Sequence, residues 1–385
     1  MRRRAGLSAV ARALAGAAGV ILLLACRPVT AGTQNAAAAG PLPRDGAQYW
    51  PAAEWRRGDP ARLGLDAARL SSLAQRLTSG GMPGLNALVV VRHGYVAVEA
   101  YANGSSAAHV HTMQSVTKSV TSLVTGIAVD EGLITESSRI LDVLPEYDSL
   151  TRGDDRKRQV TIGHLLAMRS GIDFHESPYG GSPLQRLNES TGDWTAIALG
   201  EPMNAAPGTR WQYNSGGVIA VAAAVRRASG MPFDAYARQK LFAPIGVTDE
   251  RWIRSPYDGL SHTGGGLYLR AMDLARVGYL VLRRGVWNAQ RIVSERWLTE
   301  SLRPRTIRPR SFGPYATDYG YLWWLMPLDG GDTDPGDVMY VASGNLNQWL
   351  FVVPRHDLVV AITGQSNQAL VLDVVYRDIL PSIRD

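Results

Sequence analysis

Cysteine is almost missing from this chain: Cys26 is the only one in 385 residues. One thiol excludes an internal disulfide framework, so a packed hydrophobic core has to carry the stability. Acidic residues are missing from the start of the sequence. None precedes Asp45, whereas Arg2, Arg3 and Arg4 stand ahead of an alanine, leucine and valine run that closes at Ile21 to Ala25. That order of charge and hydropathy belongs to an export signal. The run itself falls short of a transmembrane span.

Cys26 directly follows Leu23, Leu24 and Ala25, the lipobox pattern in which signal cleavage exposes a cysteine for acylation. Ordinary cleavage after Ala31 is the other reading, and it discards Cys26. Either way the mature chain is expected outside the cytoplasm, in the periplasm or cell envelope, with a lipid on Cys26 as its one tie to a membrane. Removing residues 1–31 also takes away five arginines and no acid, so a net charge of +6 falls to +1. Nucleic-acid binding then loses its main support. One basic stretch remains, RPRTIRPR at 303–310, and its two prolines suggest a solvated loop.

Several catalytic signatures are absent as well. G-x-S-x-G occurs nowhere, so an α/β-hydrolase has no nucleophile turn. His109 and His111 form an H-x-H pair, but no H-E-x-x-H helix accompanies it, and no metal is expected. The glycine clusters lack the Lys-Ser/Thr ending of a phosphate loop. The GGG at 264–266 follows no clear βα crossover, which argues against a dinucleotide site.

What is present is a chain that is 45% hydrophobic and long enough to bury a large core. Residues 32–49 are rich in alanine, glycine and proline, as suits a flexible linker, and the folded domain is expected over 50–385. Leu65, Leu70, Leu73 and Leu77 mark one helical face. Two β-branched runs around Arg92, His93 and Gly94 read as a hairpin over 85–102. A helix is expected from Ser115 to Asp130, then a mostly helical middle over about 134–256, including Gly217 to Ser229 closed by Gly230. Beyond it lie GLYLR at 266–270, helices at 271–284 and near 293–302, strands at 319–327, 338–342, 349–354 and 358–363, and a last helix at 368–379. Strands at both ends with helices between predict an α+β fold, its antiparallel sheet built from both termini with helices alongside.

Ser115 and Lys118 share a helix face. A serine hydroxyl is a poor nucleophile unless a neighbour takes its proton, and a lysine does so when burial or a nearby cation favours the free amine. The first turn of a helix also favours a developing oxyanion. The same S-x-x-K spacing equally fits an N-cap serine beside a solvated lysine.

Context decides between them. HTMQSVTKSVTSLVTGIAVDEGLI (111–134), TIGHLLAMRSGID (161–173), PGTRWQYNSGG (207–217) and GGGLYLRAMDLARVGYLVL (264–282) together resemble the serine β-lactamase and penicillin-binding-protein-like superfamily. The likeness is greatest to its class C type branch of esterases and amide hydrolases. It runs from about Leu85 to Thr363 in the family's order. The resemblance implies a β-lactamase/transpeptidase-like fold with Ser115 as the acylated serine, Lys118 as its partner and Tyr213 as the phenol that relays the proton. Ser215 falls where many relatives carry asparagine, and its hydroxyl would bond Lys118 or substrate. No metal or organic cofactor is implied.

The third family motif is the least regular. Relatives acting on β-lactams carry Lys-Thr-Gly on the strand facing the serine, and HTG at 262–264 is a tempting match that lies too early in the chain. The better counterpart is ASGNLNQWLFVVP (342–354), where esterase relatives often show Gly-x-Gly-Gly-Gln. Here the residues are Gly344, Asn345, Leu346, Asn347 and Gln348, so both inner glycines are replaced. A backbone N–H from Gly344 or Asn345 would complete an oxyanion hole with that of Ser115. His262 and Tyr179 are further candidates to line the cleft. With no lysine in the third motif, the expected substrate is a small ester or amide. A β-lactamase or D-alanyl-D-alanine carboxypeptidase is the alternative, and a non-catalytic envelope lipoprotein the rival of another class. Oligomeric state is left open.

Overall fold

The computed structural model describes residues 49–51, 54–329, 331, 337–367 and 371–384. Cys26 and the expected export signal lie outside them. An eight-stranded antiparallel sheet dominates. From edge to edge its strands are Tyr95–Tyr101, Leu85–Arg92, Leu358–Gly364, Gln348–Val353, Val338–Gly344, Trp324–Pro327, Tyr315–Tyr319 and Thr306–Phe312. The first hairpin therefore pairs with the last long strand, Leu88 opposite Ile362 and Val90 opposite Val360. The sheet is built from both ends of the chain, as expected from the placement of its β-branched runs.

Antiparallel sheets often leave one face wet, which writes an alternating pattern into their strands. This one does not. Leu85–Arg92, Gln348–Val353 and Leu358–Gly364 are buried at every position, which is why they read as continuous apolar runs. The helix Ala271–Leu282 packs on these three strands, and Ala67–Thr78 packs on the first hairpin. The amphipathic leucines of that first helix, Leu70, Leu73 and Leu77, are its buried face, and Asp66 caps its start by accepting from Arg69 N–H.

The helix Val116–Asp130 is the central one. Valine, threonine and isoleucine dominate it, a composition with low intrinsic helix propensity. Burial overrides propensity here: every residue from Val116 to Val129 is buried, between the sheet and the helix Ser215–Ser229. Two of its buried threonines bond back to the helix itself. Thr121 donates to Thr117 O at 2.9 Å and Thr125 to Thr121 O at 2.7 Å. Gly126 lets the indole of Trp297 lie against the helix, where any Cβ would stand 2.2 Å from Trp297 Cδ1. That indole N–H donates to Ser122 O at 3.0 Å.

A small second sheet, Val110–Thr112, Leu267–Arg270 and Arg251–Trp252, ties the segment before Ser115 to the segment after Gly264. Met113 N–H donates to Leu267 O at 2.8 Å, and Leu267 N–H donates to Thr117 Oγ1 at 3.2 Å.

Three expectations differ in detail. The run at 319–327 is two strands joined by a turn at Gly320–Trp323, because Leu322 sits at φ +64° and breaks the extended path. The helix expected at 217–229 starts at Ser215, since Asn214 caps it by accepting from Gly217 N–H at 2.7 Å. The stretch 303–310 is not a solvated loop: Thr306–Phe312 is the edge strand of the main sheet. Its Pro309 is tolerated because an edge strand leaves N–H groups unpaired in any case.

Candidate active site

Ser115 stands at the N-terminus of Val116–Asp130, yet its side chain makes no capping hydrogen bond. Among the described residues, six other α-helices start with a capping side chain, Asp66, Thr161, Asp193 and Ser294 among the caps. At Ser115 the hydroxyl faces Lys118 instead, with Nζ donating to Oγ at 3.0 Å. This separates the two readings of the spacing, because the lysine is not solvated: it is 1% exposed. Its second acceptor is Gly264 O at 2.5 Å, and no carboxylate lies within ion-pairing distance of it among the described residues. The residue before the serine, Gln114, holds φ +47°, a strained conformation for a side-chain-bearing residue and of the kind found at functional sites.

Tyr213 completes the group. Lys118 Nζ sits 4.8 Å over its ring. The ring stacks on Trp324 with centroids 6.1 Å apart and planes 14° apart, and Trp211 packs alongside it. Aromatic contacts on both sides thus fix where the phenol points.

Ser115 and Tyr213 open into a cavity of about 490 Å³ that Ser343, Gly344, Asn345 and Trp349 also line. The end of the strand Val338–Gly344 comes so close to the serine that a Cβ on Gly344 would lie 2.5 Å from Met113 O and 2.9 Å from Ser115 N. Only glycine fits there. ASGNLNQ, not HTG, is therefore the segment that faces Ser115. In place of the two inner glycines, Leu346 and Asn347 take φ +62° and +61°. Hairpin turns with two consecutive left-handed residues normally use Asn-Gly or Gly-Gly. The turn is held by Gln348, whose Nε2 donates to Leu346 O at 2.8 Å and Gly364 O at 2.7 Å, and by Asn367, which accepts from Leu346 N–H at 2.6 Å.

The other candidates stand outside the cavity lining. Ser215 is buried in the first turn of its helix, where its N–H donates to Glu176 Oε1 at 2.5 Å. His262 is packed edge-on against Trp194 at 5.2 Å, with Nε2 3.1 Å from Asn188 Oδ1. Burial and then the nearby Lys118 charge push its imidazole down to about 4, so it is neutral at ordinary pH. Its segment contributes the Gly264 carbonyl that binds Lys118. Tyr179 is 49% exposed, its hydroxyl accepting from Asn188 Nδ2 at 3.3 Å. What the sequence did not single out are Glu176, Arg310, Phe312 and Trp324, all in the cavity wall. In the loop that holds the candidate Tyr179, it is Glu176, three residues earlier, that lines the cavity.

No group of three or more His, Cys, Asp or Glu among the described residues is placed to hold a metal ion. No helix among them is long and apolar enough to cross a membrane.

The β-lactamase family model matches residues 70–377. The chain belongs to the β-lactamase family. Among curated members it is similar to the 6-aminohexanoate-dimer hydrolase of Paenarthrobacter ureafaciens, 26% identical over 332 residues that cover 80% of this chain and 81% of that protein. It is 30% identical to esterase EstB of Burkholderia gladioli over 213 residues, half of this chain and 54% of EstB. Among solved structures, a family VIII carboxylesterase aligns with a TM-score of 0.61 at 18% identity, covering 81% of this chain and 94% of that one. The octameric penicillin-binding protein homologue of Pyrococcus abyssi aligns with a TM-score of 0.60 at 18% identity, covering 82% and 78%. The β-lactamase/transpeptidase-like fold expected from the motifs is the fold observed, and the chain is a serine hydrolase of this family.

Proposed function

We propose that this β-lactamase family member hydrolyses an ester or amide bond through an acyl-enzyme on Ser115. The observation that carries the reading is the 3.0 Å contact between the Ser115 hydroxyl and an enclosed Lys118, at the wall of a cavity that Tyr213 also lines. Lys118 Nζ takes the hydroxyl proton while Oγ attacks the carbonyl carbon. The carbonyl oxygen becomes an oxyanion against the N–H groups of Ser115 and of Asn345 or Gly344. When the bond to the leaving group breaks, that group takes the proton through the Tyr213 phenol. Water then attacks the acyl carbon, gives its proton to the same relay, and releases the acid with Ser115 restored.

Esters and amides are preferred as substrates over β-lactams and D-alanyl peptides because residues 343–348 supply no lysine to a substrate carboxylate. The curated relatives named as an amide-dimer hydrolase and an esterase support the same choice. The arginine-led, acid-free N-terminus supports work outside the cytoplasm, in the periplasm or cell envelope, with Cys26 as a candidate lipid anchor. A panel of short acyl esters, linear amides and a chromogenic cephalosporin, run against wild type and Ser115→Ala, tests the substrate class. Ester or amide turnover is expected from wild type alone. Faster turnover of the cephalosporin would reverse the substrate choice, and turnover surviving in Ser115→Ala would remove the nucleophile.

A further inference from the structure

Lys118 Nζ has two acceptors, Ser115 Oγ at 3.0 Å and Gly264 O at 2.5 Å. Once Oγ is bonded to an acyl group, the Gly264 carbonyl is the acceptor that still aims Nζ. That carbonyl lies in a run of three glycines, Gly264, Gly265 and Gly266. Side chains do not fit there: a Cβ on Gly264 would stand 2.9 Å from Ser215 Cβ, and one on Gly266 would stand 2.7 Å from His262 Cβ. Yet glycine has the widest conformational freedom of any residue, and a run without side chains cannot anchor itself. It has to be braced from outside.

The brace is His262. A Cβ built on Gly264 or Gly265 would lie 3.4 or 3.8 Å from His262 Cε1, so the imidazole lies along the side of the run where side chains would stand. The ring is itself fixed. Trp194 packs on it edge-on at 5.2 Å, Nδ1 is buried, and Nε2 donates to Asn188 Oδ1 at 3.1 Å, because an amide oxygen only accepts. Trp194 and Asn188 belong to the helices Trp194–Gly200 and Pro183–Glu189, so the ring fastens the glycines to the helical middle of the chain. Thr263 is held separately, its hydroxyl donating to Val218 O at 2.9 Å. That fixes the peptide ahead of Gly264, and the ring covers the one that carries its carbonyl. A neutral imidazole does this without setting a second cation beside Lys118.

We infer that His262 is a positioning residue of the acyl-transfer site: braced by Trp194 and Asn188, its imidazole holds the Gly264 carbonyl on Lys118 Nζ and keeps the lysine aimed at Ser115 through deacylation. This rests on the acyl-enzyme reading. The two steps depend on the brace unequally. In acylation the Ser115 hydroxyl and Gly264 O place Nζ together. In deacylation water attacks the acyl carbon, its proton passes to Lys118 and Tyr213, and a proton returns to Oγ as the acyl–Oγ bond breaks. Gly264 O then places Nζ alone, so losing the brace slows this second step more.

Single turnovers of a short nitrophenyl ester separate the steps, with acylation read from released nitrophenolate and deacylation from decay of the acyl-enzyme mass on Ser115. In His262→Ala deacylation should slow about tenfold and acylation no more than about threefold, as a misplaced base would give. His262→Gln, whose amide N–H reaches the place of Nε2, should stay within about threefold of wild type in both steps. Asn188 is exposed, so Asn188→Ala removes one end of the brace and spares the core. Its deacylation should slow about threefold, and the double variant should be no slower than His262→Ala alone. A folded His262→Ala that deacylates like wild type, or slows equally in both steps, overturns the assignment while leaving Ser115 as nucleophile; so does an Asn188→Ala that deacylates like wild type. Wild type that forms no adduct on Ser115, with the ester or with a fluorophosphonate, overturns the acyl-enzyme reading and this inference with it.

Discussion

At the scale of single residues, the account turns on what the Ser115 hydroxyl does. A serine at a helix start normally caps it, and here it does not, because a lysine one turn along is enclosed against it. Lys118→Met should lower the labelling rate of Ser115 by about 10³ and Tyr213→Phe by about 10², the range of general acid–base assistance. Stopped reactions read by mass would check both; a Lys118→Met rate within threefold of wild type would sink the role. The turn at 345–347 makes a separate case. Leu346 bears a left-handed φ that costs a branched side chain roughly 1–2 kcal/mol, while glycine adds back about 0.5–1 of entropy. Leu346→Gly should therefore stabilise the fold by about 0.5–1 kcal/mol in urea denaturation, and a loss of stability would mean that side-chain contacts outweigh the strain. The replaced glycines were visible in the sequence, but not that the backbone would keep its conformation without them: Gln348 and Asn367 hold it across strands. Arg310 was hidden for a related reason. A run of arginines reads as solvated charge, and nothing local tells which one turns towards a site.

At the scale of elements, the helix Val116–Asp130 shows where local preference ends. Its residues favour strands, and it is a helix because every side is buried and Thr121 and Thr125 bond backward to the helix itself. The boundary at Asp130 was legible; the reason for the helix was not, since it lies in partners far along the chain. Gly126 measures that packing. Gly126→Ala raises helix propensity by about 1 kcal/mol yet drives a methyl into Trp297, a clash expected to cost about 1–3 kcal/mol and more than offset the gain. A net destabilisation by thermal melting is the expected result, and Gly126→Ala with Trp297→Leu should recover part of it. Had the alanine variant been more stable than wild type, the helix would have to sit further from Trp297. The edge strand Thr306–Phe312 went unread because two prolines and four arginines in 303–310 obscure alternation, while an edge position tolerates both.

At the scale of the whole molecule, a sheet closed by both chain ends holds the nucleophile's helix, the Tyr213 segment and the strand end at Gly344 around one cavity. The sheet was legible because apolar runs cluster at the two ends, whereas the meeting of Ser115, Tyr213 and Gly344 was expected only through the family resemblance. The same enclosure has a cost in acid. His111 and His262 are pushed by burial to about 4 from an ordinary 6.5. Between those values the unfolded chain binds more protons than the folded one, so stability falls as pH drops from about 6.5 towards 4, by roughly 3 kcal/mol at most for each ring. His111→Gln and His262→Gln should each flatten that acid limb in denaturant midpoints; an unchanged slope would show that the rings titrate normally. The central claim is narrower, that Ser115 is the nucleophile of an intact acyl-transfer site. Intact mass followed by peptide mapping after fluorophosphonate treatment reads it directly. One adduct on the peptide carrying Ser115, absent from Ser115→Ala, is the predicted result. Well-folded protein that stays unmodified at Ser115, or an adduct that persists in Ser115→Ala, would contradict it.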